Sequence, residues 1–575
     1  MSASRRILLT SSIAVIFAIV VRVSLSPSPS QCRVIPRDAA WPSTDGWDSF
    51  NTSVGGKLIA TIPIGAPCHQ IFSSGSNIST YDQAQCDALR NTWFFPETHL
   101  VSSSSPMAYQ FGNNTCNPWS SSDTPCILGG QVVYSVNATS YVDIQKAIQF
   151  SEQHNIRLVI RNTGHDYLGK STGAHALAIW THYMKDIKLI ERYDGKNYSG
   201  PALKVGAGVE GIEAYEFASA NKLMVVGGNC PTVGLAGGFT QGGGHGHLAS
   251  KYGLSADQVL EWEVVTGTGE HVIANSESHP DLYWALRGGG GSTFGVVVSM
   301  TIKAYPDTFF STAYATVLND GTNTDALWEA VGVFIKTLPR LVDSGVYVVW
   351  VAVPFGFLLM PAIGPDLHQN DLDELLQPFT DKLGELGLQY DYQSWEKPTF
   401  LANYQSLTAS WNVSDYNLGG RLIPRSLIEE NPQAFTDAVR FIGSQTIISG
   451  VTFNVDKGVA SPNDVAVNPY FRKALMGISL GTSVDYTNWT ATLNGQDIIT
   501  NVFLPKLAAL APQGGAYLNE ADFQASDFKS LFYGPHYDKL SHIKSIYDPN
   551  DIFYARTAVG SDRWFEDAEG RLCKV

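Results

Sequence analysis

Apolar and polar positions early in the chain are spaced as in a strand, a helix and a second strand. Residues 131–134 are strand-like, residues 140–154 carry apolar side chains at helical spacing, and residues 157–160 form a continuous apolar run. The loop at residues 161–167, with the sequence Arg-Asn-Thr-Gly-His-Asp-Tyr, follows directly. The pattern therefore predicts a strand–helix–strand unit that ends at a loop of polar and small side chains.

The pattern after this loop predicts more strands, one further helix and a glycine-rich segment. The strands are predicted at residues 176–180, 202–205, 259–266, 271–274 and 296–303, the helix at residues 211–221 and the glycine-rich segment at residues 228–246. Gly267-Thr268-Gly269 separates two of the strands and indicates a hairpin. Residues 306–513 have fewer glycines and alternating stretches such as residues 346–353, so we interpret them as a separate domain inserted into the first.

The N-terminus has the three parts of a signal peptide. Arg5 and Arg6 precede an apolar stretch over residues 7–21, and Arg22 and a Ser/Pro run follow it. The apolar stretch falls short of the roughly 20 residues that span a bilayer. We therefore predict a signal peptide over residues 1–26, secretion of the mature chain and no stable membrane association after cleavage. An uncleaved signal anchor is the alternative.

The charge of the chain excludes some classes of partner. Its 575 residues carry a formal net charge of -15, with 38 Lys and Arg against 53 Asp and Glu. This balance offers no basic surface for nucleic acid and would repel anionic lipid. The length is compatible with two intertwined domains. The expected partners are therefore neutral or cationic small molecules, and no nucleic acid.

The cysteines and the Asn-x-Ser/Thr triplets bear on the secretory route. Seven cysteines are an odd number, so at least one thiol stays outside intramolecular disulfides. Our hypothesis leaves Cys230 free and adopts one of the fifteen connectivities of the other six, which is Cys68 with Cys86, Cys116 with Cys126, and Cys32 with Cys573. The candidate N-glycosylation sites are Asn51, Asn77, Asn113, Asn137, Asn197, Asn412 and Asn488.

Three motifs match known functional patterns, but their surroundings argue against them. Residues 206–211 match a dinucleotide fingerprint, yet no acidic residue follows where a ribose ligand should lie. Ser479 lies in a Gly-x-Ser-x-Gly sequence, yet the residues after it lack the helical pattern of a nucleophile elbow. No carboxylate or cysteine cluster completes a metal site around His245 and His247. We expect no metal, and we keep a secreted serine hydrolase that uses Ser479 as an alternative.

Two short segments and the tail carry a resemblance to a known family. His165 lies in the loop at residues 161–167, and the sequence Gly-Asn-Cys-Pro-Thr-Val-Gly at residues 228–234 leads from a single cysteine into glycines. In these segments, and in the tail Tyr-Asp-Pro-Asn-Asp-Ile-Phe at residues 547–553, the chain resembles the berberine bridge enzyme-like branch of the vanillyl-alcohol oxidase superfamily. The resemblance covers nearly the whole mature chain, is greatest to the fungal secreted members and implies FAD as the cofactor.

The resemblance implies an α+β fold, with an FAD-binding domain of the vanillyl-alcohol oxidase type and an inserted substrate domain built on an antiparallel sheet. The FAD-binding domain would cover residues 27–305, with its core at residues 125–305. The substrate domain would cover residues 306–513. A C-terminal element at residues 514–575 would return to the FAD-binding domain.

The resemblance also implies two covalent bonds to FAD, from His165 to the 8α carbon of the flavin and from Cys230 to its carbon C6. A loop histidine that caps the next segment and a buried free thiol are the structural alternatives. The glycines allow positive φ and close backbone approach, so their N–H groups can point at a pyrophosphate. The other predicted cofactor contacts are Arg161, Asn162, Thr163, Gly164, Asp166, Gly228, Val233, Gly234, Gly237, Gly238, Gly242, Gly243, Gly244, His245, Gly290, Gly295 and Asn550.

The catalytic base has two candidates. Tyr517-Leu-Asn519-Glu520 resembles the family's Tyr-x-Asn element on the substrate side of the flavin, but many members carry tyrosine where this chain has Glu520. Tyr517 and Glu520 could each take a proton from the substrate, and a salt-bridged loop glutamate is the alternative for the second. Val233 matches the position of a small residue in front of the flavin in the family's oxidases. It favours oxygen as the electron acceptor, unless its role is packing.

These residues together predict a secreted FAD-dependent oxidase that converts O2 to H2O2. Its substrate is expected to be an alcohol, phenol or amine group of a small molecule in secondary-metabolite biosynthesis. The alternative substrate is a carbohydrate, which could stack on tryptophans of the inserted domain, although core packing explains most tryptophans. These tryptophans are Trp350, Trp395, Trp411 and Trp489.

Overall fold

The computed structural model describes residues 31–575 apart from residues 75–76, 320, 322, 408–411 and 460. The predicted signal peptide and Trp411 therefore lie outside the described residues. Helices and strands alternate along the chain and form several sheets, which confirms the α+β fold class. Within the described ranges, no helix is both long and apolar enough to cross a membrane.

The strands are distributed over the whole described chain. In chain order they are β1 (Leu58–Ala60), β2 (Ile71–Ser73), β3 (Asn77–Ser79), β4 (Tyr134–Asn137), β5 (Leu158–Arg161), β6 (Leu177–Trp180), β7 (Ile187–Gly195), β8 (Tyr198–Gly206), β9 (Leu223–Met224), β10 (Val259–Thr266), β11 (His271–Asn275), β12 (Gly295–Lys303), β13 (Tyr305–Pro306), β14 (Phe310–Leu318), β15 (Tyr347–Val353), β16 (Gly356–Pro365), β17 (Tyr390–Lys397), β18 (Tyr416–Pro424), β19 (Ile447–Thr452), β20 (Ala474–Ser483), β21 (Trp564–Glu566) and β22 (Leu572–Lys574).

The helices lie between these strands and in the C-terminal part. In chain order they are α1 (Thr44–Ser53), α2 (Gln83–Thr92), α3 (Pro96–Leu100), α4 (Tyr141–Gln153), α5 (Gly211–Ala220), α6 (Ala249–Tyr252), α7 (Ser255–Gln258), α8 (Pro280–Ala285), α9 (Thr324–Asp343), α10 (Gln369–Glu385), α11 (Phe400–Gln405), α12 (Arg425–Glu430), α13 (Pro432–Gly443), α14 (Trp489–Ile498), α15 (Leu504–Leu510), α16 (Phe528–Tyr533) and α17 (Tyr537–Tyr547).

Two sheets form the first half of the fold. The first has the order β1-β4-β6-β5, and the second is antiparallel with the order β11-β10-β12-β8-β7. Helix α4 and strand β5 lie within one residue of their predicted ends, whereas β4 begins three residues later than the predicted strand. Strands β4 and β5 both pair parallel with β6 rather than with each other. Helix α4 begins with a capping box between Ser140 and Asp143, and its apolar face packs on this sheet.

The third sheet is antiparallel and has seven strands in the order β17-β14-β16-β15-β19-β20-β18. Its strands all fall within residues 306–513, the range predicted for the inserted domain. Side chains alternate along β15, so that Val348, Trp350 and Ala352 join a core with helices α9, α10 and α13. Val349 and Val351 point to the opposite face, which lines a large cavity.

Three disulfides and the C-terminal tail connect distant parts of the chain. The bridges are Cys32–Cys573, Cys68–Cys86 and Cys116–Cys126, and Cys230 is free, which confirms the predicted pairing. In the tail, Asp548 accepts hydrogen bonds from the backbone N–H groups of Ile552 and Phe553, so the chain turns there. Both of these apolar residues pack against the core of the first sheet. The tail thus lies on the first half of the fold.

Candidate active site

A cavity of about 630 Å³ lies between the loops of the first two sheets and the seven-stranded sheet. Loop residues 162–171 and 228–241 form one side. The other side consists of side chains from strands β15, β16, β18, β19 and β20, most of them apolar, together with Tyr517 and Glu520. The volume is within the range of about 300–1,000 Å³ that is usual for ligand sites.

Most of the predicted site residues meet at this cavity, although they come from three separate segments of the chain. The predicted residues that line it are Asn162, Thr163, Gly164, His165, Asp166, Gly228, Cys230, Val233, Gly234, Gly237, Gly238, His245, Tyr517 and Glu520. The predicted cofactor-binding histidine and cysteine and the two candidate bases are therefore exposed to one common space.

The remaining predicted residues do not line the cavity. They are Arg161, Gly242, Gly243, Gly244, Gly290, Gly295 and Asn550. Arg161 is fully buried and donates hydrogen bonds to the carbonyl oxygens of His99, Ser102 and Ser105. It therefore connects the start of the loop at residues 161–167 to residues 99–105. Asn550 is exposed and donates to Glu152 at 2.6 Å, which places it on the outer surface of α4.

The glycines that do not line the cavity lie next to it or at the start of a strand. Gly295 begins β12, and the N–H of Gly290 donates to the carbonyl of Gln241 at 2.8 Å. A Cβ on Gly242 would lie 2.5 Å from the amide of Asn519, so glycine there permits a close approach of the Tyr517–Glu520 segment. These glycines shape the walls around the cavity rather than its surface.

His165 and Cys230 are both in contact with Thr232. The Thr232 hydroxyl lies 2.7 Å from Nε2 of His165 and 3.5 Å from Sγ of Cys230. Burial, reinforced by the neighbouring His99 and Arg161, lowers the pKa of His165 to about 3, so its imidazole is neutral. Burial raises the pKa of the Cys230 thiol, and hydrogen bonds from Thr232 partly offset this effect. The prediction from sequence did not include Thr232, since nothing in the sequence indicates that this threonine contacts both residues.

Glu520 is held by two neighbours at the wall of the cavity. Its Oε1 lies 3.2 Å from Nε2 of His245, and its Oε2 accepts a hydrogen bond from Ser479 at 2.9 Å. Burial alone would raise the pKa of Glu520, but the interactions with His245 and Ser479 outweigh it and lower this pKa. The side chain is therefore a carboxylate at neutral pH.

Hydrogen bonds connect this carboxylate to the segment that carries Cys230. Asn229 donates to the Tyr347 hydroxyl at 2.7 Å, and that hydroxyl lies 3.3 Å from Nδ1 of His245. Because the Tyr347 hydroxyl accepts from Asn229, its own proton can be donated to Nδ1, which leaves Nε2 to donate to Glu520. His245 is therefore oriented from both of its ring nitrogens.

Tyr517 has a different environment. Its hydroxyl accepts a hydrogen bond from Asn519 at 2.8 Å, and the side chain is 5% exposed. Burial and the neighbouring charge of Glu520 raise the pKa of Tyr517, so its phenol stays protonated. In this state the hydroxyl can donate a hydrogen bond but does not act as a base.

Neither the serine-hydrolase motif at Ser479 nor the possible metal site at His245 and His247 has the geometry that its function requires. Ser479 lies inside strand β20 rather than at a strand-to-helix turn, and its hydroxyl contacts a carboxylate instead of a histidine. This geometry lacks the nucleophile elbow that the serine hydrolase alternative requires. Among the described residues, no group of three or more His, Cys, Asp or Glu side chains could hold a metal ion.

Two family models and several curated proteins match this chain. The model described as FAD binding domain matches residues 133–275, and the model described as Berberine and berberine like matches residues 516–560. The FAD-linked oxidoreductase sor8 of Hypocrea jecorina is 43% identical over 552 residues, which cover 96% of this chain and 94% of that protein. The chain belongs to the berberine bridge enzyme-like FAD-linked oxidoreductases.

Further comparisons place this oxidoreductase among the vanillyl-alcohol oxidase-type flavoproteins. The bifunctional decalin synthase calF of Penicillium decumbens is 39% identical, over 96% of this chain and 97% of that protein. The crystal structure of the VAO-type flavoprotein MtVAO615 from Myceliophthora thermophila C1 has a TM-score of 0.89 at 37% identity. The match covers 95% of the present chain and 100% of the MtVAO615 chain, which confirms the predicted fold type.

The residues around the cavity fit FAD, the cofactor of this oxidoreductase family. A Cβ on Gly238 would meet no atom within 4 Å, so its backbone is open to a ligand. The ammonium group of Lys170, a lining residue that sequence reasoning missed, is buried and has no hydrogen-bond partner among the described residues. Burial lowers the pKa of Lys170 to about 8, only partly offset by Asp166, so an anionic ligand would satisfy it.

Proposed function

We propose that this oxidoreductase is a secreted oxidase that acts on an alcohol, phenol or amine group of an apolar small molecule, with Glu520 as its catalytic base. The observation that carries the proposal is the position of the Glu520 carboxyl group, which His245 and Ser479 hold at the wall of the cavity. FAD, when bound, accepts hydride from the substrate and passes the electrons to oxygen.

Glu520 is favoured over Tyr517 because of its charge. A base must be unprotonated before the reaction, and a carboxylate with a lowered pKa meets this requirement at neutral pH. A phenol with a raised pKa does not. In this proposal Glu520 takes the proton from the substrate O–H or N–H as the adjacent C–H bond breaks. His245 orients the carboxylate, and Tyr517 contributes a hydrogen bond or a packing surface.

The apolar wall of the cavity supports an apolar substrate. Strands of the seven-stranded sheet present Val349, Val351, Met360, Leu418, Ile447 and Val451 to the cavity. Such a surface favours aromatic or aliphatic groups, whereas a sugar needs many hydrogen-bond partners. The relative calF is a bifunctional decalin synthase, and decalin is a hydrocarbon ring system, which agrees with this substrate class.

Three of the four tryptophans considered for a carbohydrate substrate belong to the described residues, and these three lie away from the cavity. Trp350 is fully buried against the helices on the far side of the sheet, and Trp395 donates to Ser406 at 2.9 Å. Neither of these residues nor Trp489 lines the cavity. We therefore keep the carbohydrate oxidase only as an outcome of the substrate test.

We propose that FAD is attached through both His165 and Cys230. Their side chains face one cavity, lie on either side of one hydroxyl and occupy the positions implied by the family resemblance. The backbone N–H groups of the loops at residues 162–166 and 234–238 would hold the pyrophosphate. Val233 also lines the cavity, which agrees with a role in oxygen access.

Secretion and N-glycosylation are also part of the proposal. Three disulfides are expected of a chain that folds in an oxidising compartment. Five of the seven candidate asparagines are exposed, which are Asn77, Asn113, Asn197, Asn412 and Asn488. Asn137 is a poorer candidate because its side-chain oxygen is buried.

One experiment separates the parts of this proposal. The absorbance spectrum of purified protein is recorded before and after acid precipitation, and H2O2 release is then measured with benzylic alcohols, phenols, amines and oligosaccharides. We expect a flavin band that stays in the pellet, and H2O2 release with an apolar substrate. Flavin in the supernatant would remove the covalent bonds but keep the oxidase. Lactone formation from oligosaccharides alone would overturn the substrate class, and a colourless folded protein would overturn the oxidase.

A further inference from the structure

The Thr232 hydroxyl lies between the two proposed attachment residues. It is 2.7 Å from Nε2 of His165 and 3.5 Å from Sγ of Cys230, although Thr232 itself is only 6% exposed and lies behind the cavity surface. Because one hydroxyl has one proton, it can donate to only one of these two neighbours and must accept from the other. The direction of the two hydrogen bonds therefore sets the chemistry of both residues.

Only one direction makes both residues nucleophilic. When His165 donates its Nε2 proton to the Thr232 oxygen, the lone pair of the neutral ring is on Nδ1, which is then free to attack. The Thr232 proton then points to Cys230, where it stabilises the thiolate. The reverse direction would put the proton of His165 on Nδ1 and leave Cys230 without this donor.

The local backbone fixes the position of this hydroxyl. The N–H of Gly211 donates to the carbonyl of Val233, and the N–H of Ile212 donates to that of Pro231, both at 3.0 Å. Thr232 is therefore held on both sides by the first turn of α5. On the other side, the N–H of Gly234 donates to the Thr163 hydroxyl at 3.2 Å and joins the cysteine segment to the histidine loop. These hydrogen bonds connect the segment of Cys230 and Thr232 both to α5 and to the loop of His165.

We propose that Thr232 is the positioning residue for covalent flavin attachment, and that its hydroxyl prepares His165 and Cys230 together by accepting from the imidazole and donating to the thiolate. This inference rests on the proposed attachment of FAD through both residues. It assigns to Thr232 no role in substrate oxidation itself.

The covalent step balances with oxygen as the oxidant. At His165, a C–N bond forms between Nδ1 and the 8α carbon, which loses one hydrogen, and the imidazole loses the proton on Nε2. At Cys230, a C–S bond forms at carbon C6, which also loses one hydrogen, together with the thiol proton. Each bond leaves two electrons on the flavin. For each bond formed, one O2 molecule takes the two electrons with two protons and becomes H2O2, as in the proposed oxidase reaction, so the two bonds together consume two O2 molecules.

The test compares Thr232→Val, which keeps the shape but removes the hydroxyl, with Thr232→Ser, which keeps the hydroxyl. Each protein is produced with its flavin and digested, and mass spectrometry measures the flavin mass on the peptides of His165 and Cys230. The time course of attachment is followed by sampling after induction. We expect Thr232→Val to attach flavin about tenfold more slowly at both residues, the effect of one hydrogen bond on a rate. Thr232→Ser should behave as wild type.

Each result has a distinct meaning. Wild-type attachment rates in folded Thr232→Val would overturn the role of Thr232, while wild-type protein without flavin on either peptide would overturn the covalent attachment as well. If Thr232→Val does not fold, Thr232→Ala replaces it. A folded Thr232→Ser protein that attaches flavin as slowly as the variant without the hydroxyl would also refute the role of the hydroxyl. H2O2 release with bound but unattached FAD leaves the proposed oxidase intact in every case.

Discussion

The Ser479 hydroxyl donates a hydrogen bond of 2.9 Å to Oε2 of Glu520, which lies 41 residues further along the chain. Ser479 belongs to strand β20 of the seven-stranded sheet, and Glu520 belongs to the C-terminal element. A hydrogen bond from a hydroxyl stabilises the charged form of a carboxylate and so lowers its pKa. The sheet that forms one wall of the cavity therefore also lowers the pKa of the proposed base.

The first prediction concerns the pH dependence of this base. In Ser479→Ala the hydrogen bond is lost, so the pKa of Glu520 should rise and the acid limb of kcat/KM should move to higher pH. Activity well above this limb should change little, because the carboxylate is ionised there in both proteins. The pH profile of kcat/KM measures the shift. Ser483→Ala, at the exposed end of the same strand, is the matched control and should leave the profile in place.

The second prediction compares the two candidate bases. Glu520→Gln keeps the size of the side chain but cannot take a proton, and general base catalysis contributes about 10²–10⁴-fold to a rate. We therefore expect kcat to fall by about that factor in Glu520→Gln, and by less than about tenfold in Tyr517→Phe. Steady-state kinetics with flavin content measured in parallel would test this. A larger loss in Tyr517→Phe than in Glu520→Gln would contradict the assignment.

The third prediction concerns stability at acid pH. His247 is buried next to Tyr347 and Tyr404, and burial lowers its pKa from 6.5 to about 3. Between these two values the unfolded chain binds a proton that the folded protein does not. The contribution of His247 to the free energy of unfolding is therefore fully present above pH 6.5, and it is lost progressively as the pH falls from 6.5 toward 3.

Removing His247 should weaken this dependence. We expect Tm to fall less between about pH 7 and pH 4 in His247→Phe than in wild type, because phenylalanine keeps an aromatic ring among its neighbours and takes no proton. Thermal unfolding at several pH values is the measurement. His542→Gln changes an exposed histidine and should leave the slope unaltered, whereas an equal slope in all three proteins would refute the role of His247.

The fourth prediction concerns the disulfide that joins the two ends of the described chain. Cys32 and Cys573 are 541 residues apart, whereas Cys116 and Cys126 are 10 residues apart. Because a bridge restricts the unfolded chain more when it closes a longer loop, removing the first bridge should destabilise the protein more. We expect a loss of about 2–5 kcal/mol for Cys32→Ser with Cys573→Ser.

Denaturant unfolding of the two double-serine variants under non-oxidising conditions would measure this difference. The variant without Cys116–Cys126 is the control for general effects of cysteine replacement. An equal or greater loss in that control would show that native-state contacts, rather than the length of the closed loop, determine the contribution of these bridges.

Local sequence pattern predicted the elements that depend on short-range contacts. Helix α4 was predicted because its cap and its apolar face lie within one stretch of sequence. The hairpin of β10 and β11 was predicted from two apolar runs around Gly267 and Gly269. Strand β7 was missed because it is half exposed and lacks a continuous apolar signal. The pairing of β4 and β5 with β6 was missed because a strand's partners are set by contacts distant in sequence.

The sequence by itself determined the identity of the chemical groups, since His165, Cys230, Tyr517 and Glu520 stand in recognisable local motifs. Only the tertiary structure decided what surrounds them. Thr232 lies 67 residues from His165 in sequence but within hydrogen-bond distance of it, and Ser479, which resembled a nucleophile in sequence, donates a hydrogen bond to a carboxylate. The reason is that proton affinity depends on burial and on neighbouring donors, and folding brings those neighbours from distant parts of the chain.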